Sequence, residues 1–289
     1  MPNALFIMLV SLLLATGCGD ENNPTDPSDP GDNNPWVPDT TATGLIVAGH
    51  DAVPEFDQIP DTVFQYIRDT FRIYYGHTSH GSQIVSGLNM LAAAKDPDYS
   101  LPDLHEPGGD LGHNGDLTWY HTTRSYLDAH PGQYNVVMWS WCGGCSDNTA
   151  NGIQIYLDAM NQLETDYPGI TFVYMTGHLD GDGPGGILYA SNHQIRQYCQ
   201  DNDKVLFDFA DIESYDPAGN YYPDESDGCG WCATWCAQHT CPTCASCAHS
   251  HCFNCYLKGK VFWWMMARVV GWENSSGLKT WSPLRTYYD

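Results

Sequence analysis

The sequence predicts an α/β fold: a three-layer α/β/α arrangement around a mainly parallel sheet, with a Cys-rich insertion near the C-terminus. Short β-rich apolar runs alternate with longer segments whose apolar residues recur at helical spacing. The runs hand over to small, glycine or polar turn residues, as strands do where they enter loops. With 289 residues and a hydrophobic fraction of 42%, the chain can bury a core without staples.

Residues 4–15 (ALFIMLVSLLLA) form an apolar run of signal h-region length, too short for a comfortable membrane span. The run leads into Leu14-Ala15-Thr16-Gly17-Cys18, small residues before a cysteine, which resembles a bacterial lipobox with Cys18 as the lipidated first residue. The leading MPNA carries no Lys or Arg, a departure from the usual positive start. The expectation is a lipoprotein signal peptide over 1–17 and lipid anchoring at the cell envelope. Gly19, in place of the Asp of inner-membrane retention, favours the outer membrane or cell surface. Residues 18–42 are rich in Asp, Asn and Pro and nearly free of aliphatics, the composition of an extended tether. The domain occupies 43–289.

Within it, strands are expected at 71–75, 134–141, 170–175 and 205–209, and helices near 81–94, 117–129, 150–166, 190–201 and 256–271. The last helix is apolar nearly all round, so it belongs inside the domain. Residues 97–133 interrupt the alternation with a Gly-rich loop, Gly108 to Gly115, of a length that is usually functional. A formal charge of −24 disfavours nucleic acid and anionic lipid as partners, because phosphate binding needs clustered Lys and Arg. The membrane is then reached only through the anchor at Cys18.

In open parallel sheets, ligands gather at the carboxyl ends of the strands. After the first predicted strand comes Gly76-His77-Thr78-Ser79-His80-Gly81. A serine on a strand-to-helix turn exposes its hydroxyl beside outward-pointing amides, which suits a nucleophile; a plain helix cap is the alternative. His77, His80 and His178 form an alternative metal-ligand set, and His178 could equally hydrogen-bond substrate.

The blocks YYGHTSHGSQI, VVMWSWCGG, FVYMTGHLDG, QIRQYC with LFDFADIE, and CAHS through WWMMARVVGW resemble the SGNH (GDSL-type) hydrolase superfamily. The closer likeness is to a bacterial lipoprotein subgroup with HxSxG in place of GDS. The resemblance spans most of 70–272 and implies an SGNH/flavodoxin-like fold, an acyl-enzyme ester hydrolase, and no cofactor. It implies Ser79 as nucleophile and Gly112 as an oxyanion donor. It also implies a late histidine base, His249 or His251. Two departures stand out. The superfamily's Asn is absent after the second predicted strand, where the chain reads Trp141-Cys142-Gly143-Gly144-Cys145. The amide of Gly143 or Gly144 could substitute, and Asn148 is close but offset. The Asp three residues before the base is absent too; Asp208 or Asp211, or a backbone carbonyl, would have to orient the imidazole.

Cys229, Cys232, Cys236, Cys241, Cys244, Cys247, Cys252 and Cys255 crowd the insertion at 228–255. Repeated CxxC spacing would signal structural zinc in a cytosolic chain; export favours disulfides. Cys142 and Cys145 could bridge each other or the block, and losing Cys18 from twelve leaves an odd thiol. The expected activity is therefore an exported serine esterase acting on an acylated glycan or other small ester. Its rivals are a metal-binding protein and a non-catalytic surface module that binds glycan or protein.

Overall fold

The computed structural model describes residues 36–38, 44–95 and 98–274. Its strands are β1 (Ile46–Ala48), β2 (Arg72–Gly76), β3 (Asp103–His105), β4 (Val136–Trp139), β5 (Thr171–Met175) and β6 (Val205–Phe207). They form one sheet in the order β1-β6-β5-β4-β2-β3, and every pairing is parallel. The central strands read as unbroken apolar runs because both faces are covered: all four residues of β4 are buried. β1 and β3, three residues each, sit at the two edges. They are too short for a period to emerge from the sequence, and neither was expected.

The α-helices are α1 (Asp61–Thr70), α2 (Ser82–Ala94), α3 (Thr118–Ala129), α4 (Ala150–Asp166), α5 (Ile187–Asp201), α6 (Phe209–Ser214), α7 (Gly230–Cys236) and α8 (Cys252–Val269). α8 packs against α1, α2 and α6, whereas α4 packs between α3 and α5 over β5. Two helical layers therefore enclose the sheet, as expected. The α4 start is set by Thr149, whose hydroxyl accepts from the Gly152 amide. The predicted fourth strand stops two residues early: Asp208 caps α6 by accepting from the Asp211 amide, which turns Phe209 into helix.

α2 and α8 approach backbone to backbone. A Cβ on Gly87 would stand 1.9 Å from the Cys255 carbonyl oxygen, and one on Gly259 would stand 2.5 Å from the Gly87 carbonyl carbon. No rotamer relieves a clash with backbone, so Gly87→Ala is expected to cost about 3 kcal/mol or more. Urea unfolding of the two proteins checks this; a midpoint unchanged by the substitution would contradict the packing.

Trp36, within the predicted tether, meets the ring of Tyr66 on α1 edge to face at 5.6 Å. The predicted signal peptide, Cys18 and the rest of the tether, apart from 36–38, lie outside the described residues. Among the described residues no helix is long and apolar enough to cross a membrane.

The cysteine block carries four disulfides: Cys229–Cys232, Cys236–Cys241, Cys244–Cys252 and Cys247–Cys255. All eight sulfurs are paired, so this pairing leaves none of them as a thiolate for structural zinc. Cys142, Cys145 and Cys199 are free. The possible Cys142–Cys145 bridge does not form, because the Cys145 thiol turns into the core toward Asn192 Oδ1, 3.5 Å away. Burial pushes that thiol up to about 12.

His50, just after β1, places Nδ1 2.6 Å from Asp211 Oδ2 and stacks on Tyr215 at 3.7 Å. Burial pushes its pKa down, but the hydrogen bond and charge of Asp211 outweigh burial and leave it raised. A raised folded pKa stabilises fully below the unfolded value of about 6.5 and is lost as pH rises through the folded value. The melting-temperature gap between the parent and His50→Gln is therefore expected to narrow from about pH 6 to about pH 9. A gap independent of pH would contradict this.

Candidate active site

β2 lies between β4 and β3, so the chain leaves it toward one sheet edge and resumes on its other side. Such a reversal opens a crevice at the carboxyl ends of the strands. Three loops meet there, after β2, β4 and β5, carrying Ser79, Cys142 and His178 respectively.

The loop after β2 is shaped by two glycines. A Cβ on Gly76 would sit 2.2 Å from the Trp139 ring, and one on Gly81 would sit 2.3 Å from Ser140 Oγ. The buried Tyr75 hydroxyl donates to the Gly81 carbonyl at 3.0 Å. The Thr78 amide donates to Asp110 Oδ1 at 2.8 Å, and the Thr78 hydroxyl bonds the same carboxylate. Between these anchors Ser79 is half-buried, its Oγ 3.8 Å from Cys142 Sγ.

His80 is the hub of the site. Its Nδ1 lies 3.2 Å from Cys142 Sγ and its Nε2 lies 3.0 Å from Asp227 Oδ2. His178 stacks on one side with ring centroids 3.6 Å apart, and His249 also stacks on it at 4.6 Å. Burial, then the neighbouring charge of His178, lowers the His80 pKa; the Asp227 hydrogen bond opposes them. His80 is thus held as a neutral imidazole near pH 7. The Nδ1 of His178 donates to the Leu179 carbonyl at 2.8 Å.

A buried polar network fixes these loops from below. Lys258 and Glu213 are both fully buried and pair at 2.7 Å. Glu213 accepts from the Leu179 amide at 2.7 Å, beside His178. Lys258 also donates to Gln83, whose amide donates to the Ala248 carbonyl at 2.7 Å, next to His249. The Asp227 amide donates to the Leu179 carbonyl at 3.0 Å. Burial lowers the Lys258 pKa, Glu213 pulls it back up, and the ammonium lies 3.9 Å from the centre of the Phe209 ring.

Several sequence-based candidates take other places. His77 turns away from the hub: its Nε2 is 2.9 Å from Glu106 and its Nδ1 is 3.0 Å from the Thr78 carbonyl. The metal-capable group is therefore His80, His178 and Asp227, with Asp227 standing where His77 was expected. The rings of His80 and His178 are only 2° from parallel. An ion cannot lie in two separate parallel planes, so in-plane coordination by both requires one ring to turn. Asn148 is buried and donates to the Gly144 carbonyl at 2.9 Å while accepting from the Thr149 amide, so it shapes the loop after β4. His251 caps α8, its Nδ1 accepting from the Phe253 amide at 3.1 Å, which leaves the proton on Nε2 and no lone pair to act as a base. Asp208 is held by Arg196 at 2.6 Å and Asp211 by His50, so neither orients His249.

Gly112 lies against Gly144, the neighbour of Gly143: a Cβ on Gly144 would stand 3.1 Å from the Gly112 carbonyl oxygen. Leu111 bridges to Trp141, and a Cβ on Gly144 would touch the Leu111 carbonyl at 2.9 Å. The amides of Ser79, Gly112 and Gly143 meet no acceptor among the described residues. His249 occupies a left-handed backbone position, φ 58°, exposed above His80.

No family model and no curated protein matches the chain. Several solved structures are similar to it. One is a protein assigned as a GDSL-like lipase from Parabacteroides merdae, 10% identical, with a TM-score of 0.42 over 68% of this chain and 94% of the other. Another is assigned as a platelet activating factor from Streptococcus pneumonia, 10% identical, TM-score 0.38, over 73% and 92%. A third is TubZ of Clostridium botulinum phage c-st, 12% identical, TM-score 0.31, over 50% and 53%. Asp227 and Cys142 were not singled out as site residues by the sequence; the offset of Asp227 from His249 hides the first, and cystine pairing seemed the natural use of the second.

Proposed function

We propose that the protein is an exported, lipid-anchored serine esterase that acts through an acyl-enzyme on an acylated glycan or other small ester. The observation that carries this reading is the half-buried Ser79 on the turn between β2 and α2, beside the His80, His178 and His249 cluster at the strand ends.

Ser79 Oγ attacks the ester carbonyl and its proton passes to His249. The amides of Ser79, Gly112 and Gly143 take the oxyanion. The tetrahedral intermediate expels the alcohol, protonated by His249, and water completes the turnover by the same path. His80 and Asp227 hold the base in register from beneath. A net charge of −24 favours neutral or cationic substrates over anionic ones. Anchoring through Cys18 is part of the proposal and rests on the lipobox-like sequence alone. The test is hydrolysis of 4-nitrophenyl acetate and acetylated oligosaccharides by parent, Ser79→Ala and His249→Gln. Both variants are expected to lose turnover, and parental turnover in Ser79→Ala would overturn the assignment.

A further inference from the structure

Cys142, His80 and Asp227 form a nucleophile–imidazole–carboxylate line, and ester hydrolysis at Ser79 leaves its thiol unused. The thiol lies 3.2 Å from His80 Nδ1, and the opposite ring nitrogen lies 3.0 Å from Asp227. If Nε2–H donates to Asp227, Nδ1 presents its lone pair to the thiol. That order is the one in which a carboxylate fixes the tautomer and the imidazole takes a proton from sulfur. Cys142 is half-buried, so a small reagent has access, whereas Cys145 and Cys199 are buried.

We propose that Cys142 is a second nucleophile of the site, a modification site for small soft electrophiles, activated by the His80–Asp227 pair. With iodoacetamide as the electrophile, Sγ attacks the carbon bearing iodine, an S–C bond forms, the C–I bond breaks and iodide leaves. The thiol proton ends on His80 Nδ1. Because Sγ is 3.8 Å from Ser79 Oγ, the adduct covers the serine. This last consequence rests on the Ser79 reading; the activation of Cys142 does not.

The experiment treats the folded, disulfide-intact protein with iodoacetamide at neutral pH and reads modification rates by peptide mass. Among the described cysteines one is expected to react, Cys142, with Cys145 and Cys199 silent as internal controls. Asp227→Asn and His80→Gln are each expected to slow it on the order of tenfold. Two substitutions are used so that one unfolded variant does not end the test. Failure of Cys142 to react in the parent, or equal rates in parent, Asp227→Asn and His80→Gln, would overturn the proposal. Alkylated parent is then offered a fluorophosphonate. Loss of Ser79 labelling is expected. Labelling at the unmodified rate would overturn the covering of Ser79 alone, and a parent whose Ser79 never labels would count against the esterase, with the alkylation rates unaffected.

Discussion

Glu213→Ala is expected to destabilise the domain by about 3–5 kcal/mol, because it strands the Lys258 ammonium in a fully buried site. Both groups are fully buried, and a charge that loses its partner there keeps its desolvation penalty without the compensating attraction. For a domain of this size the melting temperature is expected to fall on the order of 10 °C. The double substitution Glu213→Gln with Lys258→Met removes both charges and keeps an acceptor for the Leu179 amide. It is expected to recover most of the loss, since an uncharged pair of similar shape carries no unpaired ion. Thermal melts of the parent, the single and the double variants measure this directly. A single variant as stable as the parent would mean that the ion pair does not bear on the fold. The same residues brace Leu179 and, through Gln83, Ala248, so the single variant is also expected to lose esterase turnover by loosening His178 and His249.

Ser79→Ala is expected to lower ester turnover by at least about 10³-fold with the fold intact, because no other hydroxyl can take its place in the covalent step. The side chain makes only the distant 3.8 Å approach to Cys142 Sγ, so its removal leaves no buried donor or acceptor unpaired. Stability and activity are therefore expected to separate in this variant, whereas they fall together in Glu213→Ala. Measuring kcat with 4-nitrophenyl acetate beside a melt distinguishes the two.

The parts of this molecule legible in the sequence are those with a period or a motif. α2, α4 and the buried strands β2, β4 and β5 follow from apolar spacing and from the residues that end them. The position of residue 79 on a turn between a strand and a helix was legible from the strand–turn–helix order. The edge strands β1 and β3 were not, since three residues hold no pattern. The hub of the site was hidden for another reason. His80, Cys142, His178, Asp227 and His249 come from five separate loops, and only the folded sheet brings them together. In Cys247-Ala248-His249-Ser250-His251-Cys252 the sequence favoured His249 and left His251 open; in the fold the first lies over His80 and the second closes the start of α8. Twenty-one residues carrying six of the paired cysteines separate Asp227 from His249 in sequence, so no short motif could announce them.

The central claim, an activated serine at position 79, is tested most directly by a fluorophosphonate probe and intact mass. The account predicts one covalent adduct on the folded parent and none on Ser79→Ala. A folded, disulfide-intact parent that takes no adduct, or a Ser79→Ala variant that still takes one, would contradict it.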